Sequence, residues 1–195
     1  MKQLETVRLF LREPMADDAK ALLAIRNSDF VQRYNAMRII DEERLRRQIV
    51  KDLTEKTALY LVLKEENRLI GGIWFDEDDK RYEIKSRYIS FYLAEQYAQK
   101  GYMKEALSAV VDFLFENDPA LEVLSSSTFS DNIASENLVR SVGFTYEGCI
   151  RRCVRDPRGN VHDDKQFSLL REEWLTKKTE ASYETAGSER PIFGL

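Results

Sequence analysis

The sequence is short of several things, and each shortage excludes something. It has two cysteines, one histidine and four prolines in 195 residues. Two thiols, Cys149 and Cys153, cannot make a disulfide framework, so reduced thiols are expected. With His162 they also fall short of the four ligands of a structural zinc site, and no metal is expected. No apolar run approaches the ~20 residues that cross a bilayer, so no membrane partner is expected. The opening stretch MKQLETVRLFLRE lacks the charged, apolar and small-residue zones of a secretion signal, which predicts a cytoplasmic location. Positive charge is in deficit: 30 Lys and Arg against 34 Asp and Glu leave a net charge of −4. That balance argues against broad binding to a phosphate backbone, so nucleic acid is not expected as a partner.

What is present suits one folded domain. Hydrophobic residues make up 43% of the chain and charged residues 33%, too apolar for a disordered polymer. TVRLFLR alternates as a half-buried strand, and DDAKALLAIRN shifts to helical spacing. A second helix starts from Asp41 as N-cap, with Leu45, Ile49, Val50 and Leu53 read as one face. ALYLVLK, RLIGGIWF and YEIKSRYISFYL read as an antiparallel meander, with FDEDDKRYE between the last two as a solvated hairpin turn. After Gly101 the residues Met103, Ala106, Leu107, Val110, Val111 and Leu114 follow helical spacing, the strongest periodic signal in the chain. LEVLSSSTF reads as a strand and SENLVRSV as a short helix ending at Gly143. FTYEGCIRRCV and KQFSLLRE read as two last strands around DPRGN. The expected domain covers 1–175, and the polar segment 176–195, ending in PIFGL, reads as a mobile or docked tail.

The junction ISFYLAEQYAQKGYMKEAL is where chemistry is expected. A strand, a tight turn and a helix N-terminus leave several backbone N–H groups unpaired, with the positive end of the helix dipole behind them. Such a place binds anions, phosphate above all, and Lys100 and Lys104 add charge. A glycine before a helix also serves ordinary turn geometry, so the residues alone leave both readings open.

Gln96 to Gly101 resembles the Gln/Arg-x-x-Gly-x-Gly/Ala motif of the GNAT superfamily of N-acetyltransferases. The wider stretch resembles the ribosomal-protein (RimJ/RimL-like) branch, as do ETVRLFLRE, DNIASENLVRSVGFTYEG and HDDKQFSLLREEW, in the same order. The resemblance implies an α/β, single-domain GNAT-like fold: a mixed, mostly antiparallel twisted sheet of about seven strands flanked by about four helices. It also implies acetyl-CoA as co-substrate and no metal. Gln99 stands where the motif has its first glycine, so a positive φ there would cost on the order of 1 kcal/mol relative to Gly.

The resemblance places Tyr92 and Leu93 beside the pantetheine arm, with the Leu93 N–H as donor to the acyl oxygen. It places Gln99, Lys100, Gly101, Tyr102, Met103 and Lys104 at the pyrophosphate, and Asn132 and Asn137 along the cofactor. Ser135 becomes the group that protonates the departing thiolate, and Asn132 and Ser135 suit a helix cap equally well. The position where many members carry a catalytic Tyr is Val139, and a carboxylate found in some ribosomal-branch members is replaced by Val154. The base therefore falls to Asp163 or Glu83, acting through water, while His162 reads as an exposed turn residue. Arg33, Tyr34, Asn35 and Arg38 read as acceptor-side residues. The implied acceptor is a protein N-terminal amine; a polyamine or amino sugar, or a non-catalytic acyl-CoA sensor, are the alternatives. Monomer and homodimer both stay open.

Overall fold

A computed structural model describes residues 3–187, with side chains described through residue 180. Among these residues there are eight strands and six helices. In chain order they are β1 (Leu4–Glu5), β2 (Leu9–Arg12), α1 (Ala19–Arg26), α2 (Asp29–Gln32), α3 (Glu42–Glu55), β3 (Ala58–Leu63) and β4 (Arg68–Glu77). There follow β5 (Ser86–Leu93), α4 (Tyr102–Asn117), β6 (Val123–Phe129), α5 (Ile133–Val142), β7 (Thr145–Arg155), β8 (Val161–Leu170) and α6 (Arg171–Gly187). The strands form one sheet in the order β1-β2-β3-β4-β5-β6-β8-β7. Every pairing is antiparallel except β5 with β6, which α4 joins as a crossover.

Two apolar layers cover the sheet. On one face α4 buries Met103, Ala106, Leu107, Val110, Val111, Leu114 and Phe115 against Leu59, Leu61, Ile73, Ile89 and Phe167. The helical spacing read from the sequence is this buried stripe. On the other face Ala19, Leu22, Leu45 and Ile49 of α1 and α3 pack on Tyr60 and Trp74. Because β3 is covered on both sides, all six of its residues are buried, which is why ALYLVL reads as a continuous apolar run.

The stripe of α3 differs from the expected one. Val50 is 61% exposed and Leu53 42% exposed, while Leu45, Ile49 and Asp52 are buried. Residues 45, 49 and 52 lie on one line of the helix, and Val50 and Leu53 sit well round from it. Asp52 is held by the Trp74 indole, whose Nε1–H donates to Oδ2 at 2.8 Å. Burial, reinforced by Asp76 and Glu55 and only partly offset by Trp74 and Lys51, pushes its carboxyl up to about 6 from 3.8. A raised carboxyl pKa means the folded state holds the proton more tightly than the unfolded one. Asp52 therefore destabilises the fold progressively as pH rises from about 4 to about 6, and to a constant extent above that. Asp52→Asn keeps the acceptor for Trp74 and removes the charge. Its unfolding midpoint should lie above the wild-type value at pH 7, and the gap should close as pH falls to 4. A gap that stays constant from pH 4 to 8 would show that Asp52 does not titrate in that window.

The hairpin between β4 and β5 is solvent-exposed along most of its charged turn, as expected, with one exception. Asp78 is buried and accepts the Ser125 hydroxyl at 2.6 Å. Of the expected tail, the segment to Gly187 continues α6, and PIFGL lies outside the described residues. The helix docks on α4 through Trp174, which stacks on Phe115 at 5.1 Å and donates to Asp112 at 2.6 Å.

Candidate active site

The sheet opens at β5 and β6, the one parallel pair among the described residues. β5 and β6 are in register only from Ser86 with Val123 to Tyr88 with Ser125, although both strands continue. On the other side β5 stays paired with β4 to its end. The Ala94 N–H donates to the Ile70 carbonyl at 2.8 Å, which sets the phase of that ladder. Tyr92 and Ser90 thus exchange bonds with β4, while the backbone groups of Phe91 and Leu93 turn toward β6, where pairing has ended. Two side-chain bonds mark the fork: Ser126 Oγ donates to the Ile89 carbonyl at 2.9 Å, and the Tyr88 and Ser127 hydroxyls meet at 2.8 Å.

Below the fork, the turn into α4 carries two residues in the left-handed region, Gln99 at φ 58° and Gly101 at φ 80°. The expected strain at Gln99 is therefore present. α4 starts at Gly101 with no side-chain cap, whereas Ser28, Asp41 and Asn132 cap α2, α3 and α5 with side-chain acceptors. The first-turn N–H groups of α4 are left without a protein acceptor from a cap. The acid in that turn, Glu105, is turned aside. It accepts from Thr6 Oγ1 (2.6 Å), the Arg8 backbone N–H (2.7 Å) and Arg8 Nε (2.7 Å). Burial would raise its pKa, but these bonds outweigh it and hold the carboxyl below its ordinary value. Arg8 also donates to the Lys100 carbonyl at 2.9 Å and lies over the Tyr102 ring at 4.3 Å. The β1–β2 segment thus braces the turn, a role the sequence reading did not find; Glu105 in GYMKEA was its visible half.

The fork and the turn open on one cleft of about 880 Å³. Tyr92, Leu93, Gln99, Gly101, Tyr102, Met103, Lys104, Asn132, Ser135 and Asn137 all line it. Lys100 does not: its ammonium lies over the Tyr97 ring at 5.9 Å. Asn132 caps α5 by accepting the Ser135 N–H at 3.2 Å, so its amide both caps and faces the cleft. Tyr92 offers the cleft its ring, stacked on Trp74 at 4.5 Å, because its backbone is engaged with β4. Of the acceptor-side candidates Arg33, Tyr34 and Asn35 line the cleft. Arg38 does not, and its carbonyl accepts from Arg26 at 2.7 Å.

The expected bases are elsewhere. Asp163 turns to the edge strand, where Oδ1 accepts the N–H of Arg152 at 2.7 Å in the bulge of β7. Glu83 is exposed in the hairpin before β5. The carboxylate that lines the cleft is Asp164, one residue along β8 and so on its opposite face. His162 is not idle: its ring stacks on Phe129 at 4.3 Å and bonds Asp156 at 3.3 Å. Burial would raise the Asp156 carboxyl, but hydrogen bonds from Asn160, His162 and Arg158 hold it far below its ordinary value.

Residues 8–145, well over half the chain, match the family profile of the acetyltransferase (GNAT) domain. The chain belongs to the GNAT acetyltransferase family. As a GNAT acetyltransferase it is 26% identical over 175 residues to the uncharacterized N-acetyltransferase YnaD of Bacillus subtilis, covering 88% of this chain and 98% of that one. Among solved structures, its fold matches a ribosomal-protein-S5-alanine acetyltransferase from Vibrio fischeri at TM-score 0.76 and 20% identity, covering 89% and 99% of the two chains. It also matches Mycobacterium smegmatis RimJ in complex with CoA-disulfide at TM-score 0.73 and 19% identity, covering 88% of each chain. The GNAT fold expected from the sequence is the one observed, with eight strands and six helices among the described residues.

Proposed function

We propose that this protein transfers an acetyl group from acetyl-CoA to a primary amine, and that the acceptor is a protein N-terminal amine. The observation that carries the reading is the convergence of an uncapped helix N-terminus and an unpaired strand edge on one cleft. The first offers backbone donors to a pyrophosphate, and the second offers backbone groups to an amide-bearing arm. Both fit the two ends of the cofactor, and Gly101 keeps the turn bare: a Cβ there would come within 3.3 Å of the Arg8 guanidinium.

Acetyl-CoA supplies the activated acyl group as a thioester. Gln99 and Gly101 to Lys104 would hold the phosphates, and Asn132 and Asn137 would flank the arm. The Leu93 N–H, on the unpaired edge of β5, would donate to the acyl oxygen as that oxygen gains charge, a contribution of roughly 3 kcal/mol for one well-placed donor. Ser135, whose hydroxyl has no hydrogen-bond partner among the described residues, is free to give a proton to the leaving sulfur or to hold a water there.

The lining of the cleft favours a single amine over a polyamine. Among the described residues Asp164 is the one carboxylate that lines the cleft, and Arg33 and Lys104 line it as well, whereas several spaced cations would call for several carboxylates. The neighbours named for ribosomal-protein acetylation support a protein acceptor.

The test is thermal unfolding with and without acetyl-CoA, followed by thiol release with N-terminal peptides and spermidine. Ligand at ~100 times its dissociation constant adds ~2.7 kcal/mol. At this chain length that is a rise of roughly 5–10 °C. Peptide-dependent thiol release is expected, and release with spermidine alone would move the acceptor to small polyamines. No stabilisation at saturating acetyl-CoA would overturn the reading.

A further inference from the structure

Resting on that reading, we propose that Asp164 binds the acceptor amine as its ammonium ion and takes a proton from it, so that the acceptor arm is built for one ammonium group on an apolar or aromatic stem. Asp164 is 6% exposed and lies on β8, opposite Phe129 of β6, across the open fork from Leu93. Its two oxygens are in different situations. Oδ2 accepts from Gln166 Nε2 at 2.8 Å, and Gln166 is itself fixed by Lys80, which donates to its Oε1 at 2.6 Å. Oδ1 receives no donor among the described residues. Yet the fully buried polar atoms without a partner belong to Arg26, Tyr60 and Arg81, so Oδ1 retains accessible surface. As Asp164 lines the cleft, that surface opens there.

No Lys or Arg among the described residues forms an ion pair with this carboxylate. The Tyr88 hydroxyl and the Cys153 thiol both feel its charge, Lys80 is held beyond Gln166, and His162 lies two residues along the same strand face. A carboxylate with one oxygen oriented by Gln166 and the other open to the cleft has an acceptor left over for a ligand. An ammonium group brings the charge and the donors that Oδ1 lacks. Phe129, its partner in the ladder, and Tyr88 lie near it, and Phe30, Tyr34 and Tyr92 line the same cleft, a lining suited to an apolar stem. The proton step is balanced: the ammonium nitrogen gives one proton to Oδ1, leaving a free amine with its lone pair and a carboxylic acid, which returns the proton to water.

The experiment is calorimetric titration of the full chain, with and without CoA, using a seryl tetrapeptide amide, spermidine and 2-phenylethylamine, each against its N-acetyl form. In the wild type the peptide or the phenylethylamine should bind at least about tenfold more tightly than its acetylated form, the worth of one charged hydrogen bond. Asp164→Asn should bring that ratio to near one while leaving CoA affinity unchanged, and Asp164→Glu should keep most of it. Carboxyl-carbon NMR of the wild type, which needs no variant to fold, should show the Asp164 resonance moving on amine addition. Equal binding of amine and amide in the wild type, a ratio preserved in Asp164→Asn, or a resonance that stays in place would each overturn the proposal. Loss of CoA binding in the wild type would count against the cofactor reading instead, and the titrations without CoA judge Asp164 on its own.

Discussion

Gly101→Glu should nearly abolish the stabilisation by acetyl-CoA while leaving a folded protein. Two effects separate here. Gly101 sits at φ 80°, where an L side chain costs about 1–2 kcal/mol, and this falls on the fold whether or not ligand is bound. The carboxylate acts on binding: a fixed negative charge about 5 Å from a phosphate, at an effective dielectric near 20, is worth about 3 kcal/mol of repulsion. That lowers affinity about 100-fold, so a ligand concentration once ~100 times the dissociation constant would now only about equal it. The midpoint shift should fall from roughly 5–10 °C to under about 2 °C. A variant that shows the full wild-type shift would remove the turn from the binding site.

Gly71→Ala should be the most damaging single-methyl change in the sheet. A Cβ at Gly71 would lie 2.3 Å from the Tyr92 carbonyl oxygen and 3.0 Å from the Leu93 Cα, both backbone atoms of the neighbouring strand. No rotamer relieves that contact, so β4 and β5 must part where β5 presents Leu93 to the cleft. Overpacking of this kind costs about 3 kcal/mol or more. That amounts to roughly 6–12 °C in unfolding midpoint for a chain of this size. Gly148→Ala is the control, since nothing lies within 4 Å of its added Cβ. Equal midpoints for the two variants would show that the strands have room to spare.

Much of the frame was legible because the covered faces impose their period on the residues. The α4 stripe from Met103 to Leu114 is buried as its spacing predicts, and Asp41 caps α3 as its place before the helix suggests. The failures have physical causes. Val50 and Leu53 drew the α3 face the wrong way because the true stripe spends a position on a carboxylate, Asp52, which only its bond to Trp74 reveals. Asp163 is the expected base from its place in the HDD stretch, and it does not line the cleft, whereas its neighbour Asp164 does. The alternation from Phe167 and Leu169, both in the α4-side core, puts Asp163 on the core-facing parity and Asp164 on the other. What no pattern indicates is which parity faces the cleft, or that the β7 bulge presents the Arg152 N–H to Asp163. The brace from Arg8 to Glu105 spans 97 residues, beyond the reach of local spacing.

The three-residue ladder between β5 and β6 has a mechanical consequence. It is a seam between two slabs, β1 to β5 on one side and β6 to β8 on the other, with the crossover helix as strap. A ligand lying along the unzipped length would bridge both slabs at once and so serve as a removable rib. Its occupancy would set the stiffness of the whole sheet, so that the loaded and empty enzyme differ in rigidity far from any atom the ligand touches.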